Sequence, residues 1–246
     1  MLKPYFAHSW ASSPERLAIA LAVTLGFAVL AHALRGVNQS GALAGGICCF
    51  LLFAGTGPAA FATLAALFLM TWAATRLGYR RKLALGLAER REGRDVWQVL
   101  GNLAVPALAS VVFSATGNRV WLVATVAALA EAATDTVASE IGQCRGNRAR
   151  MITTWVRVPA GTDGGITIAG SLAGMAAGLA IAAVATAGLI APGQVWIPVA
   201  AGFAGMLIDS LLGATLQRLG WISNQGVNFF STGAAAGLAY ATLSLM

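Results

Sequence analysis

The chain is built almost entirely from apolar runs of about 20 residues, the length that an α-helix needs to cross roughly 30 Å of hydrocarbon. A bilayer core has no water to hydrogen-bond the backbone, so runs of this length are expected to fold as helices. Charged residues make up 10% of the chain, whereas soluble domains contain about a quarter. The sequence therefore predicts an all-α, polytopic transmembrane helix bundle.

About eight spans are predicted, and they cover residues 17–34, 37–55, 58–75, 96–116, 120–141, 166–190, 195–216 and 227–245. The Gly-Thr-Gly-Pro sequence at 55–58 and the Gly117-Asn118 pair are turn signals that leave room only for tight hairpins. The helices on either side of each turn should be antiparallel neighbours. We expect one compact transmembrane domain over residues 1–246.

Basic residues predict how the bundle is oriented, because cytosolic loops carry an excess of Lys and Arg. They concentrate in two predicted loops, 76–95 and 142–164. If the first loop is cytosolic, strict alternation of the spans places the second loop there too, and only Lys3, Arg16 and Arg119 lie outside. We therefore expect a multi-pass protein of a bacterial inner membrane, with its active site on the cytosolic side.

The formal net charge of +7 comes largely from these two loops. For the 76–95 loop, orientation and attraction to anionic lipid are a sufficient explanation, and no nucleic-acid partner is expected. In the 142–164 loop the arginines alternate with a glycine-rich sequence directly after an acidic helix. This pattern favours a phosphate-binding role for the second loop.

Four carboxylates lie within or at the ends of predicted spans, and at the centre of a span an unpaired charge costs roughly 2.5 kcal/mol or more. They are Glu131, Asp135, Glu140 and Asp209. The last three fall in the predicted cytosolic half, and carboxylates at one depth repel each other unless a cation joins them. Hard oxygen ligands suit Mg²⁺, so a magnesium ion carrying phosphates is one prediction. The alternative is that each acid pairs with an arginine from a nearby loop.

The acidic stretch at 135–139, Asp-Thr-Val-Ala-Ser, is partly repeated at 209–213, Asp-Ser-Leu-Leu-Gly. Hydroxyl groups accompany both acids, at Thr136, Ser139 and Ser210. A helix rich in small residues follows each stretch, which suggests a possible internal duplication of a two-helix unit. Chance is the competing explanation, because the chain contains 29 glycines.

A glycine-rich segment, VPAGTDGGITIAGS, covers residues 158–171. Gly161, Gly164 and Gly165 would let backbone amides approach an anion, and the next helix begins beside them with its positive dipole end. The segment lacks the Gly-Lys-Ser/Thr end of a Walker loop. It is interpreted as a phosphate cradle, with a re-entrant turn as the alternative.

Two amide pairs lie one helical turn apart near predicted helix starts, Gln98 with Asn102 and Asn224 with Asn228. Side-chain amides can donate to phosphate or contact a nucleotide base. They can equally satisfy the unpaired backbone groups at helix ends. Both explanations stay open for each pair.

Five ordered blocks resemble the signature blocks of an integral membrane family of unknown function that includes the plant phytyl-phosphate kinase. They are DVWQVLGN (95–102), DTVASEIG (135–142), MITTWVRVPAGTDGG (151–165), IDSLLGATLQ (208–217) and NQGVNFFST (224–232). The resemblance covers residues 76–246 well, and the first two spans only by hydropathy. The second block is also similar, more distantly, to dolichol kinase and CDP-diacylglycerol synthase.

The resemblance implies a phosphotransferase that moves a phosphoryl group from an ATP- or CTP-like donor to an isoprenoid monophosphate. Our hypothesis is that CTP is the preferred donor. Mg²⁺ is the expected cofactor. Its expected ligands are Asp135, Asp209 and Glu140. The expected phosphate ligands are Arg145, Arg150 and Arg157, since guanidinium groups bind phosphate in a bidentate manner.

Two other functions fit the same residue types. A transporter or flippase for a lipid phosphate would use the duplication and the intramembrane charges, but it needs a polar path to the outer leaflet. All candidate groups here are predicted to lie on the inner side, which favours an enzyme. A cytidylyltransferase that forms a CDP-lipid shares the acidic block and differs from a kinase in its products.

Overall fold

The computed structural model describes residues 8–144 and 149–246, which contain nine α-helices and three short strands. The helices are α1 (Pro14–Ala33), α2 (Gln39–Thr56), α3 (Pro58–Arg76), α4 (Tyr79–Ala84), α5 (Val96–Thr116), α6 (Val120–Cys144), α7 (Ile168–Ala185), α8 (Trp196–Leu212) and α9 (Asn224–Ser244). The strands are β1 (Ala149–Met151), β2 (Arg157–Val158) and β3 (Gly165–Ile166). A 3₁₀ turn at Pro192–Gln194 precedes α8, and a π-helical turn at Gly213–Gln217 follows it.

The eight long helices, α1 to α3 and α5 to α9, match the eight predicted spans in order. Seven of them, α1 to α3 and α5 to α8, are long and apolar enough to cross a membrane. The helix α9 has 21 residues but is less apolar, since its first turns carry Asn224, Gln225 and Asn228. The predicted polytopic helical fold is confirmed, and the spans number seven by composition with α9 as an eighth long helix.

Capping residues fix where three helices begin. Asp95 accepts hydrogen bonds from the amides of the first turn of α5, and the Asp95 amide in turn donates to the Gln98 side-chain oxygen, which completes a capping box. Thr167 caps α7 through the Gly170 amide, at 2.9 Å. Ser223 caps α9. The starts of α5, α7 and α9 are thereby set by local sequence.

The helix α6 lies at the centre of the bundle. In its most apolar window 78% of the residues are buried, against 44% or less in the other candidate spans. It packs against α3, α5, α7, α8 and α9. Because α6 carries Glu131 and Asp135, these carboxylates are held inside the bundle rather than facing lipid.

Glycines allow α7 and α8 to approach α6 closely. At five glycines an added Cβ would collide with α6. They are Gly170, Gly174 and Gly178 on α7, and Gly202 and Gly205 on α8. Small residues at such crossings let helix backbones pack by direct contact in membranes. Packing against α6 therefore explains these glycines.

Replacing Gly174 with alanine is expected to destabilise the bundle by about 1–3 kcal/mol, the usual cost of overpacking. The new methyl group would collide with the Thr134 carbonyl oxygen, and backbone cannot move aside cheaply. Gly237→Ala is the control, because a Cβ there meets nothing within 4 Å. Thermal unfolding midpoints in detergent measure both variants, and equal midpoints would contradict this account of the packing.

The predicted loop 142–164 contains secondary structure that the sequence did not indicate. The strands form an antiparallel sheet in the order β2-β1-β3, with Arg150 opposite Arg157 and Met151 opposite Gly165. The other predicted loop, 76–95, contains the short helix α4. Both segments thus contain regular secondary structure, and they lie next to the polar end of the bundle described below.

Candidate functional site

A polar cavity of about 370 Å³ lies where α5 to α9 meet the glycine-rich segment. Thirteen of the sixteen residues predicted as site residues line it. They are Gln98, Asn102, Asp135, Thr136, Ser139, Glu140, Gly161, Gly164, Gly165, Asp209, Ser210, Asn224 and Asn228. Residues from five separate sequence blocks therefore converge on one cavity.

Three helices begin at this cavity. The first turns of α5 contribute Gln98 and Asn102, the start of α7 contributes Thr167, and the first turns of α9 contribute Asn224 and Asn228. The N-terminal end of a helix carries a partial positive charge and unpaired backbone amides. Three such ends around one cavity favour an anionic ligand such as phosphate.

Asp135 and Asp209 reach the cavity from α6 and α8. Gly205 leaves no room for a side chain between Glu131 on α6 and Ser231 on α9, so α8 crosses α6 closely at this level. One turn further along each helix come Asp135 and Asp209, and both line the cavity. The two carboxylates are near enough for their charges to interact.

A hydrogen-bond network holds Asp209 in position. Its Oδ2 accepts from the Ser231 hydroxyl at 3.3 Å. In the amide orientation that satisfies both of its polar atoms, Asn228 donates to the same oxygen at 3.2 Å and accepts from Asn102 Nδ2 at 3.0 Å. Asn102 also donates to the Gln98 carbonyl at 2.9 Å. The network joins α8, α9 and α5, so both predicted amide pairs contribute to it.

The side chain of Gln98 takes part in capping the N-terminus of α5. Its Oε1 accepts from the Asp95 amide at 3.0 Å, and its Nε2 donates to Glu89 Oε2 at 3.1 Å. The capping explanation therefore accounts for both polar atoms of Gln98. Gln98 also lies on the cavity wall, and its hydrogen bond holds Glu89 in place there. Glu89 is a cavity carboxylate that was not singled out from the sequence.

Glu140 forms an ion pair with Lys82 of α4. The Lys82 side chain is fully buried, and its ammonium also donates to the carbonyls of Ala74 at 3.2 Å and Thr75 at 2.7 Å, in the last turn of α3. All three donors of the ammonium are thus used. The sequence left open whether each acid binds Mg²⁺ or pairs with an arginine. Glu140 does pair with a basic side chain, but this is a lysine and not the expected arginine.

Carboxylates outnumber cationic groups on the described cavity wall by five to one. The acids are Glu89, Asp135, Glu140, Asp163 and Asp209, and the cation is Arg94. A phosphate ligand alone would be repelled by this wall, despite the helix ends. A divalent cation that accompanies the phosphate removes the repulsion from both sides.

The residues fit Mg²⁺ bound together with phosphates. Within residues 8–144 and 149–246, no three Asp, Glu, His or Cys side chains are grouped closely enough to hold a metal alone. Mg²⁺ in phosphate sites typically keeps several waters and uses one or two carboxylates plus substrate oxygens rather than a complete protein cage. Asp135 and Asp209 supply such a pair.

Two of the three predicted arginine ligands lie in the part of the chain that the structure describes, and both lie away from the cavity. Arg150 on the central strand β1 pairs with Arg157 on β2, and both are exposed and do not line the cavity. The Arg150 guanidinium instead donates to the Trp155 carbonyl at 2.8 Å. Arg145 lies outside the described residues. Among the described residues, the arginine that lines the cavity is Arg94, which from the sequence was assigned only to a basic loop.

Two hydrogen bonds of its backbone hold Arg94 in place. Its amide donates to Gly36 O at 3.1 Å and its carbonyl accepts from the Asn38 amide at 3.0 Å, between α1 and α2. Its charge lies close enough to interact with Asp135. One sequence feature could have identified Arg94. It directly precedes Asp95, whose capping box places it at the start of α5.

The glycine-rich segment forms part of the cavity wall, but packing explains much of its glycine content. Gly161 and Gly164 have positive φ angles of 80° and 78°. An added Cβ would collide with Leu87 at the first position and with Ala214 at the second. The Gly165 amide donates to the Thr162 carbonyl at 2.8 Å, so it is engaged in a turn. Of the three amides, Gly165 is therefore not free to bind an anion.

Glu131 is buried below the cavity, with 1% of its surface exposed, and does not line it. Its Oε1 is the one buried side-chain oxygen or nitrogen without a hydrogen-bond partner in the part of the chain that is described. Asp135 and Asp209 are its charged neighbours. It adds a third carboxylate beneath the pair.

These features define a helical membrane protein with a polar, acid-lined cavity at one end of the helix bundle. The chain belongs to the family described as Integral membrane protein DUF92, whose model matches residues 22–236. The family resemblance drawn from the sequence blocks is thereby confirmed. No solved structure matches the chain.

Relatives come from distant organisms. An uncharacterized membrane protein of Synechocystis is 36% identical over 196 residues, which cover 77% of this chain and 76% of that protein. One from Methanocaldococcus jannaschii is 31% identical over 234 residues, 93% of this chain and 96% of the relative. Protein VTE6, chloroplastic, from Arabidopsis thaliana is 33% identical over 203 residues, 78% of this chain and 61% of that protein.

Proposed function

We propose that this protein transfers the terminal phosphoryl group of a nucleoside triphosphate, CTP in preference to ATP, to an isoprenoid monophosphate. The observation that carries the proposal is the meeting of Asp135 and Asp209 in a polar cavity surrounded by three helix N-termini. The resemblance to a family that includes a plant phytyl-phosphate kinase supports the choice of reaction and acceptor. The basic residues of the 76–95 segment support a cytosolic position for the cavity.

The reaction is a direct displacement at phosphorus. An anionic oxygen of the acceptor monophosphate forms a bond to the γ-phosphorus of the donor. The bond from that phosphorus to the β,γ-bridging oxygen breaks, and the nucleoside diphosphate leaves. The attacking oxygen is already deprotonated, so no strong base is required. Positioning and neutralisation of charge supply most of the rate.

The side chains have distinct roles in this scheme. Asp135 and Asp209 would hold Mg²⁺, and Glu140, fixed by Lys82, stands beside them. Bound Mg²⁺ would neutralise charge on the donor phosphates. Arg94 binds the transferring phosphoryl group as a charged donor. The network from Asn102 through Asn228 keeps the Asp209 carboxylate oriented.

The transporter hypothesis receives less support from the same geometry. The cavity is lined by the first turns of α5, α7 and α9 and by the later turns of α6 and α8, so it lies at one end of the bundle. A transporter needs polar access from both ends. A CDP-lipid synthase remains the chemical competitor, because its donor and metal would use the same groups.

The test uses purified protein in detergent with Mg²⁺, CTP or ATP, and phytyl, geranylgeranyl or farnesyl monophosphate. We expect formation of the isoprenoid diphosphate with release of CDP, and slower turnover with ATP. Release of pyrophosphate with a CDP-lipid product would identify a cytidylyltransferase instead. Failure of all acceptors with both donors would overturn the phosphotransferase proposal.

A further inference from the structure

A second cavity, of about 530 Å³, adjoins the polar one. Its walls come from α1, α2, α3 and α5. Four residues line both cavities: Glu89, Arg94, Gln98 and Asn102. The two cavities therefore meet at the start of α5. The second cavity has no role so far in the proposed reaction.

The second cavity changes character along its length. Its mouth is lined by arginines from the ends of α1 and α3 and from the segment before α5: Arg35, Arg76, Arg90, Arg91 and Arg94. Its inner walls are apolar and include Phe27, Leu64, Leu67, Phe68 and Leu103. A ligand that matches this gradient has an anionic head and a long apolar tail.

The depth of the cavity matches a lipid chain. Arg76 at the mouth and Leu64 deep inside stand twelve positions apart on α3, about 18 Å at the helical rise of 1.5 Å per residue. Half of the hydrocarbon core is about 15 Å thick. The cavity volume is also in the range of sites that enclose small organic ligands.

We propose that this second cavity binds the prenyl chain of the phosphorylated acceptor. The phosphate of the acceptor then lies at the shared boundary, beside Arg94 and Asn102, and faces the donor in the polar cavity. This inference rests on the proposed function, since it names the place where that reaction's acceptor binds. It also predicts that the inner walls set the preferred chain length.

Aromatic rings bound the inner end of the cavity. Phe27 packs edge-on against Phe61 and Phe68, with ring centroids 5.3 and 5.4 Å apart. On the α2 wall, Gly46 leaves open space, because an added Cβ would meet only Ala28 Cβ, at an ordinary contact of 3.6 Å. A larger side chain at Gly46 can therefore shorten the cavity without displacing backbone.

The first experiment compares turnover of farnesyl and geranylgeranyl monophosphate. Gly46→Leu is expected to shift the kcat/KM ratio toward the shorter farnesyl acceptor by about 10-fold or more, as steric changes in apolar pockets do. Gly45→Val is a second variant, since its Cβ would lie 3.7 Å from Val99 Cγ1. Gly26→Leu is the matched control on α1, because its Cβ meets nothing within 4 Å and Gly26 lines neither cavity.

The second experiment does not depend on turnover. A geranylgeranyl monophosphate carrying a diazirine at the far end of its chain is photolysed with the wild-type protein, and the labelled peptides are mapped. We expect labels in α1 and α3 around Phe27 and Leu64, suppressed by unlabelled geranylgeranyl monophosphate and not by phosphatidylglycerol.

The two experiments separate this inference from the proposed function. Labelling of α1 and α3 without turnover would support the binding site and overturn the phosphotransferase. Turnover with an unchanged acceptor ratio in Gly46→Leu and Gly45→Val, and labels elsewhere, would overturn the site and leave the reaction intact. Suppression by phosphatidylglycerol alone would identify the cavity as a phospholipid site and would also overturn the inference.

Discussion

Asp135→Asn and Asp209→Asn are each expected to reduce kcat by about 10³-fold, the upper range for loss of one group that neutralises developing charge. Each change keeps the side-chain shape and removes one of the two carboxylates that α6 and α8 bring to the cavity. The protein should stay folded, since removing a charge from a crowded acidic site relieves repulsion. Steady-state turnover with saturating CTP and acceptor measures the effect.

A matched acid outside the cavity provides the control for these variants. Glu92 is exposed and lines neither cavity, so Glu92→Gln should leave kcat unchanged. Titration with Mg²⁺ gives a second readout, because loss of a ligand raises the concentration needed for half-maximal turnover. Wild-type turnover and Mg²⁺ dependence in both aspartate variants would remove the metal assignment.

Lys82→Met is expected to destabilise the protein by about 3 kcal/mol, the lower end for breaking a buried ion pair. The change leaves Glu140 and the last carbonyls of α3 without their buried cation. The partial exposure of Glu140, 14% of its side chain, lets water reduce the cost. The measurement is the free energy of unfolding from urea titrations in mild detergent.

A double-mutant cycle identifies the source of that cost. Adding Glu140→Leu to Lys82→Met removes the unpaired carboxylate and should recover part of the lost stability. Arg80→Met is the control on the same helix, because Arg80 is exposed and its loss should change stability by less than about 0.5 kcal/mol. Equal effects of Lys82→Met and Arg80→Met would show that the pair contributes nothing to folding.

Hydropathy predicted the fold well because a membrane imposes one dominant rule, that each span satisfies its own backbone and presents apolar side chains. All eight predicted spans appear as long helices, with boundaries shifted by a few residues. The β-sheet within residues 149–166 escaped prediction. Its strands have two or three residues each, too few to show the alternation that marks a strand.

Apart from Glu131, the acids and amides selected from the sequence line one cavity, because each lies at a fixed offset from a cap or a glycine crossing, as Asn102 does from Asp95. Their roles at the site stay predictions. The arginine at the cavity was harder to predict. Arg94, Arg150 and Arg157 all occur in basic segments, and only tertiary contacts decide which one turns inward. Lys82 shows the same difficulty, since its neighbours Arg80 and Arg81 are exposed and nothing local distinguishes it.

The π-helical turn at Gly213–Gln217 changes which way α8 faces as it leaves the bundle. A π turn closes its hydrogen bonds over one more residue than an α turn, so the chain rotates less with each residue that it adds. The wider turn keeps Gln217 on the same side as Asp209, and both line the polar cavity. In a regular α-helix this glutamine would lie about 80° further round the helix axis than Asp209. The π turn thus lets residues from two successive turns of the chain line the same cavity. This arrangement depends on the number of residues in the segment.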